Sequence, residues 1–131
     1  MDDVPDEDLV IPRGRSRTVA YARDASGNRP AFEFLEVTVS QRQHLQFQQY
    51  FHHLAVHGWL SNPKQFRKER DDIWAFKAGE ARIACFPKGR VWFLTHGFLK
   101  KRDRWPPEEL NRALRIRWEH LVRMNQGGRD R

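Results

Sequence analysis

The sequence predicts an α+β fold: an N-terminal strand and a helix pair, an antiparallel sheet made of an edge strand plus a three-stranded meander, and a C-terminal helix. Residues 73–99 hold three short runs of aromatic and β-branched residues separated by Gly-bearing turns, the composition of half-buried strands. Residues 40–57 and 106–122 place apolar side chains three, four and seven positions apart, one stripe along a helix. Of the 131 residues, 39% are hydrophobic and 12% aromatic, which suits one modest core rather than a disordered chain.

Residues 1–16 mix acids, two prolines and Gly14 without any period, and read as a disordered acidic tail. The domain then runs over residues 17–124. Residues 17–23, RTVAYAR, alternate as an edge strand does, and DASGN (24–28) is loop. Pro30 suits the first turn of a short helix that β-branched Val37 and Val39 end. Ser40 is placed to cap a second helix. Phe47, Tyr50, Phe51, Leu54 and Ala55 form that helix's stripe, and Gly58 stops it. Residues 61–72, SNPKQFRKERDD, read as a polar connector. The meander follows, with turns at Ala78-Gly79-Glu80 and Pro87-Lys88-Gly89. Pro106 or Pro107 opens the last helix, with Glu108 and Glu109 at the positive end of its dipole. Residues 125–131 read as a second disordered tail.

Five of the 17 acids fall within the first eight residues, so the net charge of +7 understates the body, where 24 bases face 12 acids. A body this basic attracts polyanions, nucleic acid first among them. By the same logic the acidic start is able to fold back over it as an electrostatic plug. No apolar run approaches the ~18 residues of a membrane span, and the sequence shows no signal-peptide pattern. Cys85 is the only cysteine, so no internal disulfide forms; no membrane association and a reducing cytoplasm are expected.

Charge inside the meander marks the candidate site. Arg82 lies within an apolar strand, and such an arginine reaches an acid, emerges on an open sheet face, or meets an anion. Strand parity puts Arg82 on one face with Ala84 and Phe86, and Lys77 on one face with Ile73 and Ala75. His96, Lys100 and Lys101 follow in or after the third strand, with Arg102 and Arg104 beyond them. Lys64, Arg67, Lys68 and Arg70 in the connector form either a phosphate-contacting rim or an ordinary solvated loop. His53 and His57 stand four apart on a helix, a zinc-compatible pair. No Cys, Asp or Glu nearby completes a site, so neither a metal nor another cofactor is expected.

Residues ~64–110 resemble the RelE/ParE toxin superfamily, in particular its phage-derived, HigB-like branch. The matching stretches are IWAFK (73–77), ARIACF (81–86), VWFLTHGFLKK (91–101) and WPPEEL (105–110), and His-Gly-Phe-x-Lys-Lys is the most specific of them. Many relatives carry Glu where Ala75 stands, Arg where Lys77 stands and Thr where Trp105 stands. At Lys77 the charge is kept and the bidentate grip is lost.

The resemblance implies a RelE-like fold and a cytoplasmic type II toxin. It implies an mRNA interferase that enters the ribosome, cuts mRNA and so inhibits translation, neutralised by a helix-turn-helix antitoxin. The alternatives are a ParE-like gyrase inhibitor and a non-catalytic basic nucleic-acid-binding protein. Cleavage of this kind turns the ribose 2′-OH on the neighbouring phosphate and needs no metal. It requires removal of the 2′-OH proton, stabilisation of the five-coordinate phosphorus, and protonation of the 5′-oxygen. Arg82 suits the phosphate, with Lys77, Lys100 or Lys101 sharing that load. His96 is the expected proton-transfer group, or else a hydrogen-bonded strand-end residue.

Overall fold

The protein is described from a computed structural model, which covers residues 2–101 and 104–129, with side chains described through Gln126. In chain order the elements are β1 (Thr18–Tyr21), α1 (Pro30–Val37), α2 (Gln41–His57), β2 (Phe66–Arg70), β3 (Ile73–Ala78), β4 (Ala81–Lys88), β5 (Val91–Leu99) and α3 (Pro107–Arg129). Among the described residues the strands form one mixed five-stranded sheet, in the order β1-β5-β4-β3-β2. β2 to β5 run antiparallel to their neighbours, while β1 pairs parallel with β5.

The predicted elements hold, and their ends follow the expected local chemistry. The Ser40 hydroxyl accepts from the Gln43 amide, and the Gln43 side chain returns the bond to the Ser40 amide, a closed capping box. Gly58 takes φ +81° beyond α2, a conformation that a side chain disfavours.

Three expectations are corrected. The connector is not all loop, because residues 66–70 form β2 on the sheet's outer edge. Only Phe66 of this strand is buried, as suits an edge strand that stays charged outward. Its hairpin to β3 turns on Asp71 and Asp72, both at positive φ, which Asp tolerates better than most residues. The acidic start is not a free tail either. Val4, Asp8 and Ile11 are buried, and Leu9 bridges Ala20 of β1. The Arg23 guanidinium donates to Asp8 at 2.7 Å. Apolar anchors between the acids supply the burial that charge alone cannot. Nor do residues 125–129 fray, since α3 continues through Arg129.

The sheet has two covered faces. α1 and α2 lie on one, where Phe34, Phe47, Phe51 and Leu54 pack with Phe76, Ile83 and Leu94. α3 lies on the other, where Ala113 and Ile116 meet Ile73, Ala84, Phe86 and Phe93. Gly97 lets the first layer close. A Cβ added there would lie 2.0 Å from a Phe34 ring carbon. Gly97→Ala is therefore expected to push the ring aside and to cost about 1–3 kcal/mol, read as a lowered urea midpoint. An unchanged midpoint would show that Phe34 does not rest on this glycine.

Candidate functional site

α3 starts beside β5, its Glu109 reaching His96. At the end of the sheet near the β3–β4 turn, Lys77 and Arg82 keep part of their surface exposed among the described residues. Register places Lys77 directly across from Arg82, and Arg82 across from Phe98. One row further in, Arg67 faces Ala75, which faces Ala84, which faces His96. Side chains of one cross-strand row share a face. Arg67, Lys77, Arg82, His96 and Phe98 therefore all belong to the α3 side.

Arg82 and Lys77 are half-buried. Arg82 Nη1 donates to the carbonyls of Gly79 at 2.6 Å and Ala81 at 3.1 Å. Its Nε is buried without a hydrogen-bond partner. Among the described residues Arg82 has no carboxylate within ion-pair distance. A half-desolvated cation with an unmet donor favours an incoming anion. Burial, and then the like charges of Arg82 and Arg67, hold the Lys77 ammonium below its ordinary range; Lys100 pushes the same way. Lys100 is tied to the turn, its amide donating to Glu80 O at 2.8 Å. Arg67, Lys77, Arg82 and Lys100 thus form one electrostatic group. Glu69 is the opposing charge close enough to matter to both Lys77 and Arg82.

His96 does not share that exposure. It is 0% exposed and its ring stacks on Phe98 with centroids 5.5 Å apart. Its Nε2 lies 3.3 Å from Glu109 Oε1, and its Nδ1 lies 3.3 Å from Thr95 Oγ1. Burial, with Arg112 and Arg115 behind it, lowers its pKa to about 3. A ring that solvent does not reach, and that stays neutral throughout the physiological range, is unsuited to exchanging protons with a surface-bound substrate. His96 joins β5 to the first turn of α3. Glu109, its partner, was legible only as a dipole-compensating acid. Burial raises its pKa.

The other expected contacts divide. Arg67 is exposed at the rim beside Lys77. Lys64 stands exposed before β2, and Arg70 pairs with Ile73 at that strand's far end. Lys68 faces Trp74, which packs on the α1–α2 side, so it leaves the group. Lys101 and Arg104 are exposed, and Arg102 lies outside the described residues. Sequence reasoning missed Trp105, whose ring meets Phe98, the residue across from Arg82, edge-on at 4.7 Å. The His53 and His57 rings lie 4.5 Å apart, tilted by 47°. Among the described residues no cluster of three or more metal-binding side chains occurs, and no helix is long and apolar enough to cross a membrane.

Residues 37–117 match the family model described as phage derived protein Gp49-like (DUF891). The match covers more than half of the chain, from the end of α1 into α3, and includes Lys77, Arg82, His96 and Glu109. No curated protein matches the chain.

Proposed function

The chain belongs to the phage-derived Gp49-like family, a RelE-type toxin family, and from that premise we propose that it is the toxin of a type II toxin–antitoxin pair, an endoribonuclease that cuts mRNA on the ribosome. Its site of action is then the cytoplasm. Its partners are the translated message, the ribosome and a helix-turn-helix antitoxin.

One observation carries this reading. Lys77 and Arg82 stand side by side on the sheet, each partly exposed, and no acid neutralises Arg82 at ion-pair distance among the described residues. A phosphodiester supplies the missing anion. Arg82 binds the non-bridging oxygens and stabilises the charge that grows on phosphorus as the 2′-oxygen attacks. Lys77, held below its ordinary range by burial and by Arg82 and Arg67, sits closer to the operating pH than a free lysine does. It is the group we assign to proton transfer at the 2′-OH. Lys100 and Lys101 add positive charge from the end of β5, and Arg67 holds the flanking strand of phosphates. Thr95, His96 and Glu109 are positioning residues that fix where α3 begins.

The experiment is induced expression from a repressed promoter, with growth recorded and mRNA 5′ ends mapped. Growth arrest with new 5′ ends inside reading frames is the expected result. Arrest with DNA-damage signalling and intact messages would instead indicate a gyrase inhibitor, and no arrest a binding protein without chemistry.

A further inference from the structure

A cavity lies away from the site above. It opens between the 13–17 loop, the start of β1 and the β4–β5 turn, and encloses about 750 Å³, the size of a pocket that buries a nucleotide-sized ligand. Arg13, Arg15, Arg17, Lys88 and Arg90 line it, against Asp2 and Asp3. Lys88 follows Arg82 by six positions in β4, or about 20 Å at the rise of a strand. The two cationic regions therefore occupy opposite ends of one strand.

The cavity already holds an anion of the chain's own. Asp2 Oδ2 accepts from the Thr18 hydroxyl at 2.6 Å, and Asp2 Oδ1 accepts from Arg13 Nε at 3.3 Å and Nη2 at 3.2 Å. Burial by itself would raise the Asp2 pKa, yet these bonds hold it below the ordinary carboxylate value. The carboxylate marks where an oxyanion sits, with a hydroxyl and a guanidinium to receive it. Arg13 also binds Asp6, whose side chain is 93% exposed. Exposed pairs of this kind are worth only about 0–1 kcal/mol each. At the tip Asp3 is exposed and Asp2 is held by Arg13 and Thr18 with its side chain 14% exposed, while Val4 and the Asp8–Arg23 pair anchor the segment behind it.

We propose that this cavity is a second binding site, for the phosphates of single-stranded RNA, and that the acidic tip at Asp2 and Asp3 occupies it until RNA displaces it. Four of the five lining cations are arginines, whose planar forks match phosphate oxygens. A groove that pairs cations with an apolar floor, here Val91 and Phe93, is how proteins track a nucleic-acid strand without reading its sequence. The site does not depend on the cleavage chemistry.

The test measures binding, so its failure is separable from failure of the nuclease reading. A fluorescent single-stranded RNA is titrated against the full chain carrying Arg82→Ala, which keeps the probe intact. Adding Asp2→Asn and Asp3→Asn, with Val4 and Asp8 untouched, is expected to tighten binding about three- to tenfold at low salt. Adding Arg15→Gln, Lys88→Gln and Arg90→Gln instead is expected to weaken it, and to reduce the slope of log K against log salt by about 2. Unchanged affinity and slope in the latter variant would overturn the site. So would poly-glutamate competing as well as RNA of equal charge, since the groove would then receive an acidic protein segment.

Discussion

Arg82→Ala is expected to lower transcript cleavage by about 10²–10³-fold, the usual cost of removing one preorganised donor to a developing oxyanion, while leaving the fold intact. The side chain sits half-buried at the start of β4, and its two hydrogen bonds run to turn carbonyls that water reaches once it is gone. Its removal thus costs stability on the order of 1 kcal/mol. Arg82→Lys separates charge from shape. If a point charge suffices, lysine restores most of the rate; if the planar fork is needed, it restores little. Cleavage at the wild-type rate in a folded Arg82→Ala variant would remove the phosphate from this end of the sheet. Lys77 is the natural second substitution. A lysine acting in proton transfer shifts the alkaline limb of the pH–rate profile when changed to arginine, whereas one that only adds charge does not.

The amphipathic helices were legible because burial on one face leaves a period in the sequence, as in the phenylalanines that α2 repeats at helical spacing. The meander was legible for another reason: β3 to β5 are covered on both faces and so read as runs of aromatic and aliphatic residues cut by glycine turns. β2 left no such trace. A five-residue edge strand with one inward phenylalanine has too few apolar positions to alternate, and the aspartate turn that follows it lacks the expected glycine. The acidic segment misled for a related reason. Its apolar anchors, buried Val4 and Ile11 and half-buried Leu9, are too few and too irregular to form a stripe, and the ion pair that ties it down reaches Arg23, fifteen residues beyond Asp8. Pairings across that separation have no local signature.

Within the site, strand parity grouped Arg82 with Ala84 and Phe86, and Lys77 with Ile73 and Ala75, but only the β3–β4 register shows that the two groups share one face. Accessibility depends in turn on where a later helix begins. His96 and Phe98 share the face of Arg82, yet α3 and Trp105 close over them. The His-Gly-Phe run is then explained by packing: His96 meets Glu109, Gly97 seats Phe34, and Phe98 meets Trp105.

Acid is expected to weaken the fold before its carboxylates titrate, and His96 is the first reason. In the unfolded chain a histidine takes a proton near pH 6.5, whereas folded His96 resists to about pH 3. Between those values the unfolded state binds more protons, so stability falls as pH falls, by about 1.4 kcal/mol for each pH unit. From pH 6.5 to pH 5 this amounts to roughly 2 kcal/mol, a large share of the 5–15 kcal/mol that holds a domain together. Buried His120, lowered to about 4, acts in the same direction. Glu109 acts in the opposite one, because a carboxyl raised in the fold binds its proton earlier than in the unfolded chain. Urea unfolding at pH 7 and pH 5 measures the sum, and His96→Gln isolates one part of it. The variant is expected to be less stable at pH 7, by about 1–3 kcal/mol for the bond lost to Glu109, but to lose distinctly less than the wild type on acidification. Parallel losses in the two proteins would mean that His96 titrates in the fold as it does in water. A histidine that does so is open to solvent, which would return it to the substrate-facing surface beside Arg82 and reopen its part in proton transfer.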